Sequence, residues 1–338
     1  MSHHTRFIRS IVSLAAVLSL SLALPAQASR TQCEDGVTTR PVTFSVVLPD
    51  NNTYQIAGYF YWRGQLEGKV LQVALHGGSY NHKYWDANEI DGHQYSYARY
   101  MACRGYAVLA IDNLGVGESS KPDGDFVTAP VQAVALHQIV GALRAGEVGT
   151  SFRKIVLVGH SMGSLQAIFE QGTFNDADGL VVTGWENTPH PVNLPMEVFG
   201  PLMANPYFAV PGWMRTIMFY AGEFDPGMPG YDNQDLVGEV PRGLFTYAIG
   251  SLLGLAPTHS EGVRGPVLVV CDEHDLLMPV SLAAGEATTY PSASSVTTHV
   301  VYGTGHDLNL HLTNLDEWAR ITSWIRENVG GGAEDGAN

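Results

Sequence analysis

The stretch from Lys154 to Gly172, KIVLVGHSMGSLQAIFEQG, constrains this chain more than any other. Ile155 to Val158 form a continuous apolar run, the pattern of a strand buried on both faces of a sheet. Gly159-His160-Ser161-Met162-Gly163 follows at once, and Leu165, Ala167, Ile168 and Phe169 then recur at helical spacing. A G-x-S-x-G turn between a strand and a helix predicts a nucleophile elbow, with the Ser161 hydroxyl lifted clear of the sheet. The glycines have a steric reason. So sharp a turn strains the serine backbone, and side chains two positions to either side would strike the neighbouring strand and helix. The helix N-terminus beneath the serine favours negative charge.

Eight runs read as strands: Val42 to Leu48, Tyr54 to Trp62, Val70 to Leu75, Tyr106 to Ile111, Ile155 to Val158, Leu180 to Thr183, Pro266 to Val270 and Val296 to Tyr302. Pro49-Asp50-Asn51-Asn52 joins the first two as a hairpin turn. Helical periodicity covers Tyr95 to Cys103, Ala129 to Ala145 and Asn314 to Val329. Strands alternating with helices predict a doubly wound parallel sheet covered on both faces, with any ligand at the carboxyl ends of its strands. His76-Gly77-Gly78, the turn 112–119, Ser161 and Asp272 to Asp275 each lie just past a predicted strand.

The strand rhythm breaks between Glu186 and Val263. Prolines punctuate short segments rich in Met, Phe, Tyr and Trp, too apolar for a linker and without a strand pattern. A helical insertion over 186–263 is expected, dividing a core of 29–185 and 264–329, with a flexible tail over 330–338.

The first 28 residues have the form of a secretory leader. Arg6 and Arg9 precede an apolar run from Ile11 to Leu24, closed by Ala26-Gln27-Ala28. Secretion, extracellular or periplasmic, is therefore expected. Cleavage would leave about 310 residues and, by removing two arginines, take the net charge from −15 to −17. Such a surface repels nucleic acid and anionic membranes, so neither a nucleic-acid partner nor stable membrane association is expected. Of three cysteines, Cys271 directly follows a buried run and is expected as a free thiol; Cys33 and Cys103 are then the candidate disulfide. Asn51-Asn52-Thr53 matches the N-glycosylation pattern at Asn51.

A serine hydroxyl needs a base to take its proton. His306, in a glycine turn just past the last strand, is the candidate, since imidazole titrates near neutrality. The imidazole in turn needs a carboxylate. Asp275 fits best; Asp272 and Glu273 compete, and Glu186, after the preceding strand, is a further alternative. Gly78 and Met162 are the candidate oxyanion N–H donors. Tyr80 and Trp85, after the oxyanion turn, and Trp213 and Met218, in the insertion, are candidate substrate contacts. His306 and His311 are five apart, but no H-E-x-x-H or close Cys pair points to a metal, and no cofactor is expected.

The motifs LHGG at 75–78, DNLGVGESS at 112–120, VGHSMG at 158–163, CDEHDLLMP at 271–279 and GTGH at 303–306 resemble those of the α/β-hydrolases, across nearly all of the chain after the leader. Serine, acid and histidine stand in that family's order. The resemblance implies an eight-stranded α/β-hydrolase fold with the insertion as a helical lid, Ser161 as nucleophile, Asp275 as acid, His306 as base, and Gly78 and Met162 as oxyanion donors. Two positions depart from it: Leu114 stands where relatives often carry a basic residue, and Asp272 where they usually carry glycine. The expected function is a secreted serine esterase or lactonase acting on a neutral, hydrophobic small molecule. C–C bond hydrolysis, cofactor-free perhydrolysis and a non-catalytic ligand-binding role are the alternatives on the same fold.

Overall fold

A computed structural model describes residues 33–192, 199–201 and 203–332. The expected leader, residues 1–28, and residues 333–338 of the expected tail lie outside them. Contacts divide the chain into Met1–Val37 and Thr38–Asn338. In the first, a turn closes from Gly36 N–H to the Cys33 carbonyl at 3.0 Å.

Ten strands are described: β1 (Val37–Val47), β2 (Thr53–Arg63), β3 (Leu71–Leu75), β4 (Ala107–Ile111), β5 (Ile155–His160), β6 (Gly179–Thr183), β7 (Tyr207–Phe208), β8 (Val240–Pro241), β9 (Pro266–Asp272) and β10 (Ser295–Val301). Eight form one sheet in the order β1-β2-β4-β3-β5-β6-β9-β10. β2 runs antiparallel to β4, and every pair from β4 to β10 is parallel. The chain leaves β3 toward β4, then returns to the other side of β3 for β5. The loops after β3 and β5 therefore part at a reversal of strand order, where open α/β sheets form their crevice.

The apolar runs are explained by burial on both faces. Leu71, Val73 and Leu75 join one core with Leu109, Leu157 and Val182, together with residues of helices α2 (Ala129–Ala145) and α3 (Met162–Thr173). On the opposite face α1 (Tyr97–Cys103) meets the C-terminal helix, Asn314–Asn328, where the Tyr97 and Tyr100 rings lie 5.9 and 5.1 Å from Trp318. The first helix starts two residues later than its periodicity predicts, because the Ser96 hydroxyl caps it by accepting from Arg99 N–H at 3.1 Å.

Between β6 and β9 the chain forms α4 (Gly212–Phe219) and α5 (Arg242–Leu252), with a short helix, Met228–Tyr231, between them. The same segment also holds an antiparallel ribbon of β7 and β8. Two-residue strands are too short to leave a periodicity in the sequence. Cys33 and Cys103 are both disulfide-bonded, and Cys271 is a buried free thiol. Among the described residues no helix is long and apolar enough to cross a membrane.

The start of α3 is pressed against the end of β3. A Cβ built on Gly163 would stand 2.2 Å from the Leu75 carbonyl oxygen, a backbone atom that cannot swing aside. Gly163→Ala is expected to destabilise the protein by about 1–3 kcal/mol, the usual cost of overpacking. Urea unfolding of the two proteins checks it, and an unchanged midpoint would contradict this packing.

Candidate active site

Ser161 sits between β5 and α3 with φ 52° and ψ −121°, a backbone conformation that side chains disfavour. The turn is held from three sides. Ser161 N–H donates to the Thr183 carbonyl at 2.9 Å, and the Ser164 hydroxyl donates to the same oxygen at 2.9 Å. A Cβ on Gly159 would lie 2.4 Å from the Ser164 Cα. Both glycines of the motif are thus required by backbone contact.

His306 enters from the loop after β10. Its Nε2 lies 2.9 Å from Ser161 Oγ, and its Nδ1 lies 2.7 Å from Asp275 Oδ2. The other carboxylate oxygen, Oδ1, accepts from the N–H groups of Leu277 and Met278 at 2.7 and 3.0 Å. With Oδ1 occupied by its own loop, Asp275 presents Oδ2 to the ring. An Nδ1–H donated to the carboxylate leaves Nε2 bare to accept the serine proton. Burial alone would lower the His306 pKa, but the Asp275 charge and hydrogen bond outweigh it, and the pKa ends above the ordinary value of 6.5.

The rival carboxylates do not reach the histidine. Glu273 accepts from Gly303 N–H at 2.9 Å, tied to the turn after β10. Glu186 is buried beside the Cys271 thiol, and burial, with the nearby charges of Glu286 and Asp275, pushes its pKa up to about 8. Asp272 is buried and unpartnered; burial and then Asp275 hold its pKa well above the carboxylate range.

Gly78 and Met162 both face the same cavity as Ser161 and His306. Met162 opens α3, where a helix has N–H groups without internal partners. A Cβ on Gly78 would meet the end of the Met162 side chain at 2.9 Å, so the two segments lie in close contact. The turn before Gly78 is fixed by Asn113, whose N–H donates to His76 Nε2 and whose amide donates to the His76 carbonyl, both at 3.1 Å.

The cavity encloses about 560 Å³ including its open mouth. Among the described residues, no ionisable side chain but His306 lines it. Of the four substrate contacts expected from sequence, only Met218 is on its wall. Tyr80 is buried behind the oxyanion turn, hydrogen-bonded to Asp232 and Asp307. Trp85 is core, packed on Tyr84 and Tyr97 at 5.2 and 5.1 Å. Trp213 points outward, 58% exposed. The larger wall residues missed from sequence include Trp185, Phe245, Leu252 and Met278. Phe245, Ala248 and Leu252 recur on one face of α5, a spacing that could have found them.

A sequence model of the Alpha/beta hydrolase family matches residues 72–321. No curated protein matches the chain. Solved structures resemble it in fold at low identity. An esterase from Thermogutta terrifontis is 18% identical with a TM-score of 0.57, covering 85% of this chain and 98% of that one. A monoacylglycerol lipase from Paleococcus ferrophilus is 16% identical with a TM-score of 0.59, covering 81% and 99%. A soluble variant of monoglyceride lipase from Saccharomyces cerevisiae is 15% identical with a TM-score of 0.63, covering 86% and 96%.

The unpartnered Asp272 makes the site electrostatically costly. An unfolded Asp ionises near its ordinary value of 3.8, whereas the folded group holds its proton to much higher pH. Between those values the folded state binds more protons, so stability falls as pH rises, by up to ~1.4 kcal/mol per pH unit. Asn cannot ionise. Asp272→Asn is therefore expected to match the parent near pH 4 and to exceed it in stability at pH 8. Urea midpoints at the two pH values decide it, and a loss at pH 8 would mean that Asp272 is ionised and needed.

Proposed function

The chain belongs to the alpha/beta hydrolase family, and on that footing we propose that it is a serine hydrolase cleaving an ester or lactone of a neutral, apolar small molecule through an acyl-enzyme. The relay Ser161 Oγ–His306 Nε2–Asp275, at 2.9 and 2.7 Å on the wall of an apolar cavity, carries this reading.

Ser161 Oγ attacks the carbonyl carbon while His306 Nε2 takes its proton. The carbonyl oxygen becomes an oxyanion, facing the N–H groups of Gly78 and Met162. Asp275 stabilises the imidazolium, which hands the proton to the leaving alcohol as the C–O bond breaks. Water then releases the acid by the same steps. The esterase and lipases that resemble this fold support an ester substrate. The cavity wall supports an apolar one: Met218 and Phe219 of α4 and Phe245, Ala248 and Leu252 of α5 make the inserted segment the part that selects the substrate. Export to an oxidising compartment accords with the disulfide-bonded Cys33 and Cys103.

Three outcomes test the proposal. Wild-type protein should label at Ser161 with a fluorophosphonate and turn over short esters or lactones, and Ser161→Ala should lose on the order of 10⁶ in turnover, as in a well-studied serine protease. A β-diketone cleaved in preference to every ester would replace this reading with C–C hydrolysis, and failure to label would favour a binding protein. Asp275→Asn should cut turnover by ~10⁴ while Glu186→Gln stays near wild type; the reverse would transfer the acid role to Glu186. Because His306 must be neutral to act, kcat/KM should fall with decreasing pH along a limb centred above 6.5. A limb centred below that value would contradict the role given to Asp275.

A further inference from the structure

A buried polar network outside the relay joins the inserted segment to the turn at Gly78 and Ser79. Its centre is Arg215 on α4, a fully buried arginine. One terminal nitrogen donates to the Ser79 carbonyl at 2.7 Å and also contacts the Ser79 hydroxyl. The other pairs with Asp232, and Nε–H donates to Asn233 Oδ1 at 3.0 Å. The guanidinium also lies over the Tyr80 ring, 4.4 Å from its centroid. From Asp232 the network runs on through the Tyr80 hydroxyl to Asp307, and from Asp307 Oδ1 to His160 Nε2 at 3.2 Å. Asp307 follows His306, and His160 precedes Ser161.

We propose that Arg215 is a positioning residue for the oxyanion turn, holding Gly78 at the reacting oxygen from behind. The proposal rests on the serine-hydrolase reading above. Three observations carry it. Ser79 has φ 65°, a conformation that costs a non-glycine residue of order 1–3 kcal/mol and persists only when its surroundings impose it. Its carbonyl oxygen takes two donors, Arg215 and Gly238 N–H, each at 2.7 Å and each from the inserted segment. Arg215 itself is not on the cavity wall, whereas Gly78 and Ser79 are, so it acts through the turn and not on the substrate. A buried ion pair is a weak source of stability, since apolar replacements of the whole pair are often neutral. What this one supplies is geometry: it holds the residue next to an oxyanion donor in a shape the backbone would otherwise leave.

The test compares wild type with Arg215→Met, Arg215→Lys and Arg215→Ala. Each is assayed on a short-chain ester, for affinity toward a trifluoromethyl ketone, and for affinity toward a neutral apolar fluorescent probe. The ketone adds Ser161 Oγ and presents an oxyanion; the probe needs only the cavity. Arg215→Met should lose about 10²-fold in kcat, the scale of removing one oxyanion donor, and lose ketone affinity by a similar factor. KM and probe affinity should stay within about threefold. Arg215→Lys should lose less, and millimolar guanidinium should restore about tenfold or more to Arg215→Ala. A kcat within about threefold of wild type in Arg215→Met would overturn the proposal. Equal loss of ketone and probe affinity without guanidinium rescue would also overturn it, leaving Arg215 as a strut of the cavity. Should Arg215→Met not fold, Asp232→Asn is read by the same ketone-against-probe comparison. A wild-type protein inert to all esters and to fluorophosphonate would sink the underlying reading, whereas an active wild type with an indifferent Arg215→Met sinks only this one.

Discussion

The strained backbone at Ser161 is the constraint on which the rest of the site depends. A serine at φ 52° costs of order 1–3 kcal/mol unless the surroundings hold it there. The surroundings do so with backbone. β6 receives its N–H through Thr183, β3 leaves no space for a side chain at Gly163, and the first turn of α3 leaves none at Gly159. These contacts exist because β3 and β5 are neighbours at the point where the strand order reverses. The sheet topology, the two glycines and the hydroxyl at the cavity wall are one arrangement seen at three scales.

Around this turn the protein gathers an unusual number of buried carboxyls. Asp275 is held by two N–H groups of its own loop and the histidine ring. Asp272, close to it, has no partner, and burial keeps both it and Glu186 protonated beyond the usual carboxylate range. The difference between the groups is hydrogen bonding. A carboxylate that accepts three donors keeps its charge at modest cost, while one with none is driven to its neutral form.

The inserted segment contributes at two depths. Its outer apolar residues, such as Phe245 and Leu252, form cavity wall and leave the relay untouched. Its buried ions, Arg215 and Asp232, reach behind the wall to Ser79 and Tyr80. Changes at the first level should alter which substrate fits; changes at the second should alter the chemistry on every substrate.

The fold and the relay were legible in the sequence because each depends on local pattern. Strands buried on both faces must be apolar throughout, so the central runs, β3 to β6 and β9, stood out. An elbow must carry glycines at fixed offsets, so Ser161 did too; His306 stood out after the last strand, while Asp275 shared its place with Asp272, Glu273 and Glu186 as candidate acids. The cavity was not legible in the same way. Trp213 and Met218 are five residues apart on α4, which turns them about 140° from one another, and nothing in the local pattern says which side meets the sheet. The sequence shows both as large apolar residues near the site; only packing sends one to the wall and the other to solvent. Tyr80 and Trp85 lie off the cavity wall for a related reason: nearness in sequence to the Gly77-Gly78 turn does not settle which side of that turn a ring occupies. Arg215 is the extreme case. Alone among apolar neighbours it reads as a surface cation, and it is buried only because the fold brings Asp232, Asn233 and the Ser79 carbonyl to its guanidinium, partners up to 136 residues away. Local backbone rules therefore determined the elbow and the sheet, whereas the cavity and its supports were decided by long-range packing, which no short stretch of sequence encodes.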